Sequence, residues 1–214
     1  MEPMKILALD QATTTGWAVT DGNGVILESG VWRLADRNRT GESRGMRYIR
    51  FEAYLRQAIE QWTPDIIIHE QTLLRGGAAT EIANGLKALI LKTAAAYGLE
   101  VSCVHTSELK HWATGDGKAD KDAMVLAAEK FCLTQRRNNG NRPLIDDNEA
   151  DAICIGLWAS SKFGAFQGPQ WPTKKKTRKR QKAKRGEAGL VAAVLSAAAV
   201  GSHLIGEGLG GPPV

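Results

Sequence analysis

Cysteine is scarce: only Cys103, Cys132 and Cys154 occur, far apart and odd in number. None belongs to a C-x-x-C pair, which excludes a sequence-evident zinc site or disulfide framework and leaves three small hydrophobes in a reducing compartment. The first residues, MEPMKILALD, lack the basic region, long apolar run and small-residue cleavage site of a secretion signal, so a cytoplasmic protein is expected. Long apolar runs are also missing. The one stretch of some length, residues 189–206, is interrupted by Ser196, Ser202 and His203 and relies on alanine, so no membrane anchor is expected. With 43% hydrophobic residues in 214, a packed core is nevertheless affordable.

The formal charge of +5 is unevenly spread. Residues 174–185, KKKTRKRQKAKR, hold nine of the 28 Lys and Arg, leaving 19 basic against 21 acidic residues in 1–173. The composition divides the chain into a domain at 1–163, a linker at 164–173, a basic tail at 174–187 and an Ala/Gly-rich tail at 188–214.

Within the domain, apolar runs predict strands over 4–10, 16–21 and 24–33, with DGNG at 21–24 as a hairpin turn. Met46, Ile49, Leu55, Ile59 and Trp62 are read as the apolar face of a helix expected to end at Pro64. DIIIHE at 65–70 reads as a central strand covered on both faces, followed by a helix over 79–97 and a strand in LEVSCVH. Two more helices are predicted near 119–131 and 147–162. The order implies an α/β layered domain with a mixed five-stranded sheet whose first three strands are antiparallel.

Asp10 ends the first strand and Glu70 the fourth, so parallel neighbours would deliver both carboxylates to one sheet edge. In DDNEADAICIGLW, Asp151 shares a helix face with Asp147 at i−4 and with Asn148 at i−3. Carboxylates gathered in a small space repel unless protons or divalent cations intervene. Mg²⁺, which takes oxygen ligands and retains water, suits such a set beside a phosphodiester. Each residue also has a plainer role: Asp10 as a turn cap, Glu70 as a strand end, Asp147 and Asp151 as N-terminal helix acids.

Four stretches in order resemble the RuvC-type Holliday junction resolvases of the RNase H-like superfamily. They are ILALDQATTTGWAV, IIIHEQ, LKHWATGDGKADKDAMV and DDNEADAICIGLWA, together spanning roughly residues 4–162. The resemblance implies an RNase H-like fold and a metal-dependent endodeoxyribonuclease acting on branched DNA as a homodimer, in a bacterial or phage-infected cell. It implies that Asp10, Glu70 and Asp151, with Asp147 or Asn148, hold two Mg²⁺ or Mn²⁺ ions. Lys121 would stabilise the scissile phosphate, and Lys110, Lys118, Leu73 and Arg75 would contact DNA. Hydrolysis would leave a 5′-phosphate and a 3′-hydroxyl. The chain departs from the pattern in three places. DQATTTG replaces D-P-G, Leu73 stands where an aromatic often wedges between bases, and Asn148 occupies the i−3 position of an expected aspartate.

Two other readings bear on the same residues. LDQATTTGWAV is also similar to the first phosphate loop of sugar kinases in the actin-like ATPase superfamily, but no second acidic-glycine loop follows. A catalytically silent DNA-binding protein of the same fold would not need oxygen ligands at every one of these positions.

The basic tail, including Lys174, Lys175, Lys176, Arg178, Lys179 and Arg180, is a solvated charge run that can also bind phosphates without sequence preference. Deleting residues 173–214 is expected to flatten the fall of DNA affinity with salt while sparing cleavage. An unchanged slope in a salt titration of the truncated chain removes the tail from DNA binding.

Overall fold

The computed structural model describes residues 2–35, 41–71, 77–135 and 146–171. Leu73, Arg75 and the basic tail lie outside these residues. Five strands, β1 (Lys5–Asp10), β2 (Thr14–Asp21), β3 (Ile26–Arg33), β4 (Ile66–Glu70) and β5 (Glu100–Val104), form one sheet in the order β3-β2-β1-β4-β5. β1 pairs antiparallel with β2 and β2 with β3, whereas β1–β4 and β4–β5 are parallel. The expected mixed sheet is therefore present.

The pleat sorts the core into two faces. Leu7, Leu9, Val19 and Ile67 turn to one side, where they meet Phe51, Leu55 and Ile59 of α1 (Gly45–Trp62) and Leu86 and Ile90 of α2 (Ala78–Tyr97). Ile6, Ala8, Ala18, Ile66 and Ile68 turn to the other. There they meet α3 (Thr106–Thr114), α4 (Lys121–Gln135) and α5 (Asp147–Phe163). Burying Ile153, Ile155 and Leu157 of α5, all fully covered, contributes about 2 kcal/mol each.

Local chemistry sets the element ends. Asp21 Oδ1 accepts from the backbone N–H groups of Asn23 and Val25, and Gly24 takes a φ of 81°. The third strand consequently starts at Ile26 rather than Gly24, because Val25 still belongs to the turn. α1 stops where Thr63 adopts a left-handed conformation (φ 46°) ahead of Pro64, which disfavours a helical residue before it. The nine-residue α3 was not expected. It follows β5 almost directly, is closed by Gly115 (φ 81°) and buries only Leu109 and Ala113, too few to print a periodic pattern. After α5, the backbone N–H of Ala165 donates to the Gly22 carbonyl and the Trp171 indole donates to the Trp112 carbonyl. Residues 164–171 therefore lie along the domain rather than leading away from it.

Small residues let α5 approach the sheet closely. A methyl group at Gly16 would lie 1.8 Å from the Asn148 carbonyl oxygen, and one at Gly156 would lie 2.8 Å from Thr20 Cγ2. Gly16 is also the cross-strand partner of Asp10, so the first turn of α5 is admitted beside that carboxylate. Gly16→Ala must push backbone against backbone and is expected to cost about 2–3 kcal/mol in urea unfolding. A variant as stable as the wild type shows that α5 approaches less closely.

Candidate active site

Parallel pairing of β1 and β4 brings their last residues, Asp10 and Glu70, to the same end of the sheet. The first turns of α5 pack beside them. Asp146 takes the N-cap position and its Oδ1 accepts from the Asn148 backbone N–H at 3.0 Å, so the helix is capped one residue ahead of the predicted acidic pair. Asp151 lies one turn further on, at the junction of sheet and helix.

The electrostatics record this convergence. Burial pushes the Asp10 carboxyl well above the usual carboxylate range, helped by the charges of Glu70 and Asp151 and by a hydrogen bond to Glu70. Asp151 is pushed up to about 6 by burial first and the Glu70 charge second, against the attraction of Lys110. Asp147 behaves in the opposite way. Its Oδ2 accepts from Lys121 Nζ at 2.5 Å, which holds its carboxyl below the ordinary value. The same pair raises Lys121. Asp10, Glu70 and Asp151 thus feel one another's charge, whereas Asp147 is paired with Lys121.

Asn148 spends its amide on the cap, donating Nδ2–H to Asp146 Oδ1 at 2.7 Å and Asp147 Oδ1 at 3.1 Å. Lys110 Nζ donates to the Ala119 carbonyl at 2.6 Å, which ties down the turn between α3 and α4 while its charge reaches Asp151. Lys118 is exposed on that turn, where its backbone N–H is held by Asp116.

Three residues that sequence reasoning passed over hold Glu70 in place. Gln11 Nε2 donates to the Glu70 carbonyl at 2.6 Å. The buried His69 ring reaches the same carbonyl through Nδ1 at 2.7 Å; a carbonyl only accepts, so Nδ1 carries the proton. Burial lowers the His69 pKa and keeps the ring neutral. On the side-chain end, the Thr106 hydroxyl donates to Glu70 Oε1. Position beside Asp10 was the available signal for Gln11; nothing in the spacing announces Thr106.

The donor set is oxygen only and crowded with like charge, which fits a hard divalent cation such as Mg²⁺. Among the described residues no three His, Cys, Asp or Glu side chains are close enough together to hold an ion as they stand. The three carboxylates therefore sense one another's charge without together closing around an ion, and Glu70 and Asp147 are each bonded to another partner.

A buried carboxyl whose folded-state pKa exceeds its unfolded value favours folding only while protonated. For Asp151 that contribution is complete below about pH 4 and is lost as pH rises through about 6. In the presence of a chelator, the melting temperature is expected to fall across this window. Asp151→Asn should remove that part of the fall, and Mg²⁺ should restore stability to the wild type at neutral pH. Equal pH profiles for the two chains show that Asp151 is not under this strain.

No protein-family model matches the chain. Among curated proteins it is similar to the crossover junction endodeoxyribonuclease RuvC of Synechococcus sp., 25% identical over 158 residues, 72% of this chain and 96% of that protein. The RuvC of Corynebacterium glutamicum is 27% identical over 162 residues, 73% of this chain and 69% of that protein. A solved structure of T. thermophilus RuvC in complex with Holliday junction substrate matches with a TM-score of 0.59 at 20% identity, covering 75% of this chain and 93% of that one. The fold is RNase H-like, and the resemblance to the RuvC-type resolvases is borne out as similarity of sequence over some 72% of the chain and of fold.

Proposed function

We propose, from this kinship and from the site itself, that the chain is a structure-selective endodeoxyribonuclease that resolves Holliday junctions or other branched DNA in recombination. The observation that carries the reading is the gathering of Asp10, Glu70 and Asp151 at one sheet edge, with Asp10 and Asp151 both pushed above their ordinary pKa by burial and by neighbouring negative charge. Such a set is costly unless a cation neutralises it.

Asp10, Glu70 and Asp151 would hold Mg²⁺ or Mn²⁺, with Asp147 or Asn148 as a further oxygen donor. Two such ions, when bound, supply an activated water and stabilise the leaving oxygen of an in-line displacement, giving a 5′-phosphate and a 3′-hydroxyl. The protein's own groups orient and neutralise. Lys121, which is exposed and paired with Asp147, can exchange that partner for a phosphate oxygen and stabilise its developing charge. Lys110 braces the α3–α4 turn, so that Lys118 and Lys121 are presented together along the margin of the site. The strained acids and the neighbouring lysines thereby divide the work between ion and substrate.

Paired nicks in a two-fold symmetric junction call for a symmetric dimer. α2 supports this by leaving Leu91 about half exposed on its outer face while Leu86 and Ile90 fill the core. Among the described residues no helix is long and apolar enough to cross a membrane. We place the activity on cytoplasmic DNA of a bacterial or phage-infected cell.

Cleavage of a labelled four-way junction tests the reading. Wild type in Mg²⁺ is expected to give symmetric nicks. Asp10→Asn should slow them on the order of a thousandfold, about 4 kcal/mol of lost transition-state stabilisation. Ca²⁺ should support binding without cutting. Binding with no cleavage in Mg²⁺ or Mn²⁺ would instead identify a silent DNA-binding module.

A further inference from the structure

The Thr106 hydroxyl has no evident need to leave its own helix. It belongs to the first residue of α3, where backbone N–H groups await acceptors and the His105 cap provides no side-chain hydrogen bond. It nevertheless donates to Glu70 Oε1, a carboxylate 36 positions earlier in the chain. The parallel ladder makes this possible. Glu70 is in register with Val104, and the Gln71 N–H donates to the Val104 carbonyl at 2.8 Å, so the start of α3 is set down beside the end of β4.

Glu70 is consequently gripped at both ends. Gln11 and His69 fix its carbonyl, and Thr106 fixes one carboxylate oxygen. A carboxylate with one oxygen tied has lost most of its rotational freedom, and Glu70 ends β4 at the same end of the sheet as Asp10 ends its parallel neighbour β1. Such outer hydrogen bonds orient metal ligands and are commonly worth one to two orders of magnitude in affinity.

We propose that Thr106 is a positioning residue that orients Glu70 towards Asp10 for binding the divalent cation, an inference that rests on the nuclease reading above. Its hydroxyl remains outside the ion's own ligand set. The contribution is geometric: with the donor removed, Glu70 can rotate away from the negative charge of Asp10 and Asp151, and the ion must restrain it on binding.

Mn²⁺ binding to the full chain without DNA, followed by electron paramagnetic resonance, tests this directly. Thr106→Val keeps the shape and removes the donor; it should weaken Mn²⁺ binding about tenfold or more, with the melting temperature in chelator unchanged. Thr106→Ser restores the hydroxyl and should recover binding to within about threefold of wild type. The cleavage rate in limiting Mn²⁺ should fall for Thr106→Val and recover at saturating Mn²⁺. If the valine variant does not fold, Thr106→Ala makes the same comparison against Thr106→Ser. Wild type and Thr106→Val binding Mn²⁺ equally well overturns the inference alone. A wild type that binds no Mn²⁺ overturns the nuclease reading and this inference with it.

Discussion

Like charge held at the rim of an apolar core is the constraint around which this molecule is arranged. Asp10 and Asp151 are partly withdrawn from the water that would screen them, and Glu70 adds to the repulsion. Left alone, such groups move apart or take up protons. Here the backbone prevents separation: two are final residues of hydrogen-bonded parallel strands and the third lies on a helix packed tightly against them. The strain is thus fixed by the rigid part of the fold and is available to whatever positive charge enters.

The packing that maintains it depends on what is missing from the sheet surface. Gly16, Ala8 and Ala18 offer little or no side chain towards α5, and Gly156 returns the same accommodation from the helix. Larger residues at these places would give a thicker layer and a helix whose first turn no longer reached Asp10. Packing and chemistry are therefore linked through the same small residues. The polar clamps on Glu70 extend this logic from backbone to side chain, since they select an orientation that mutual repulsion would otherwise disfavour.

The mixed sheet, the hairpin and the placing of acids at two strand ends and on one helix were legible because each has a local signature. An apolar run ending in Asp10, another ending in Glu70, and a fourfold spacing from Asp147 to Asp151 are all read within a dozen residues. What escaped was nonlocal or short. Helical spacing places Asp147 and Asn148 alike beside Asp151, but a lysine 26 positions away draws Asp147 aside, and Asn148 is engaged in the cap. Thr106 acts across 36 positions through a strand pairing that only the folded sheet specifies. The helix that carries it buries too few residues to be seen as a pattern.

Anomalous scattering from crystals of the wild-type protein soaked in Mn²⁺ examines the central claim without reliance on any activity. The account predicts a peak enclosed by Asp10, Glu70 and Asp151, with Glu70 still bonded to Thr106. Ordered Mn²⁺ elsewhere with none between these three carboxylates would contradict it.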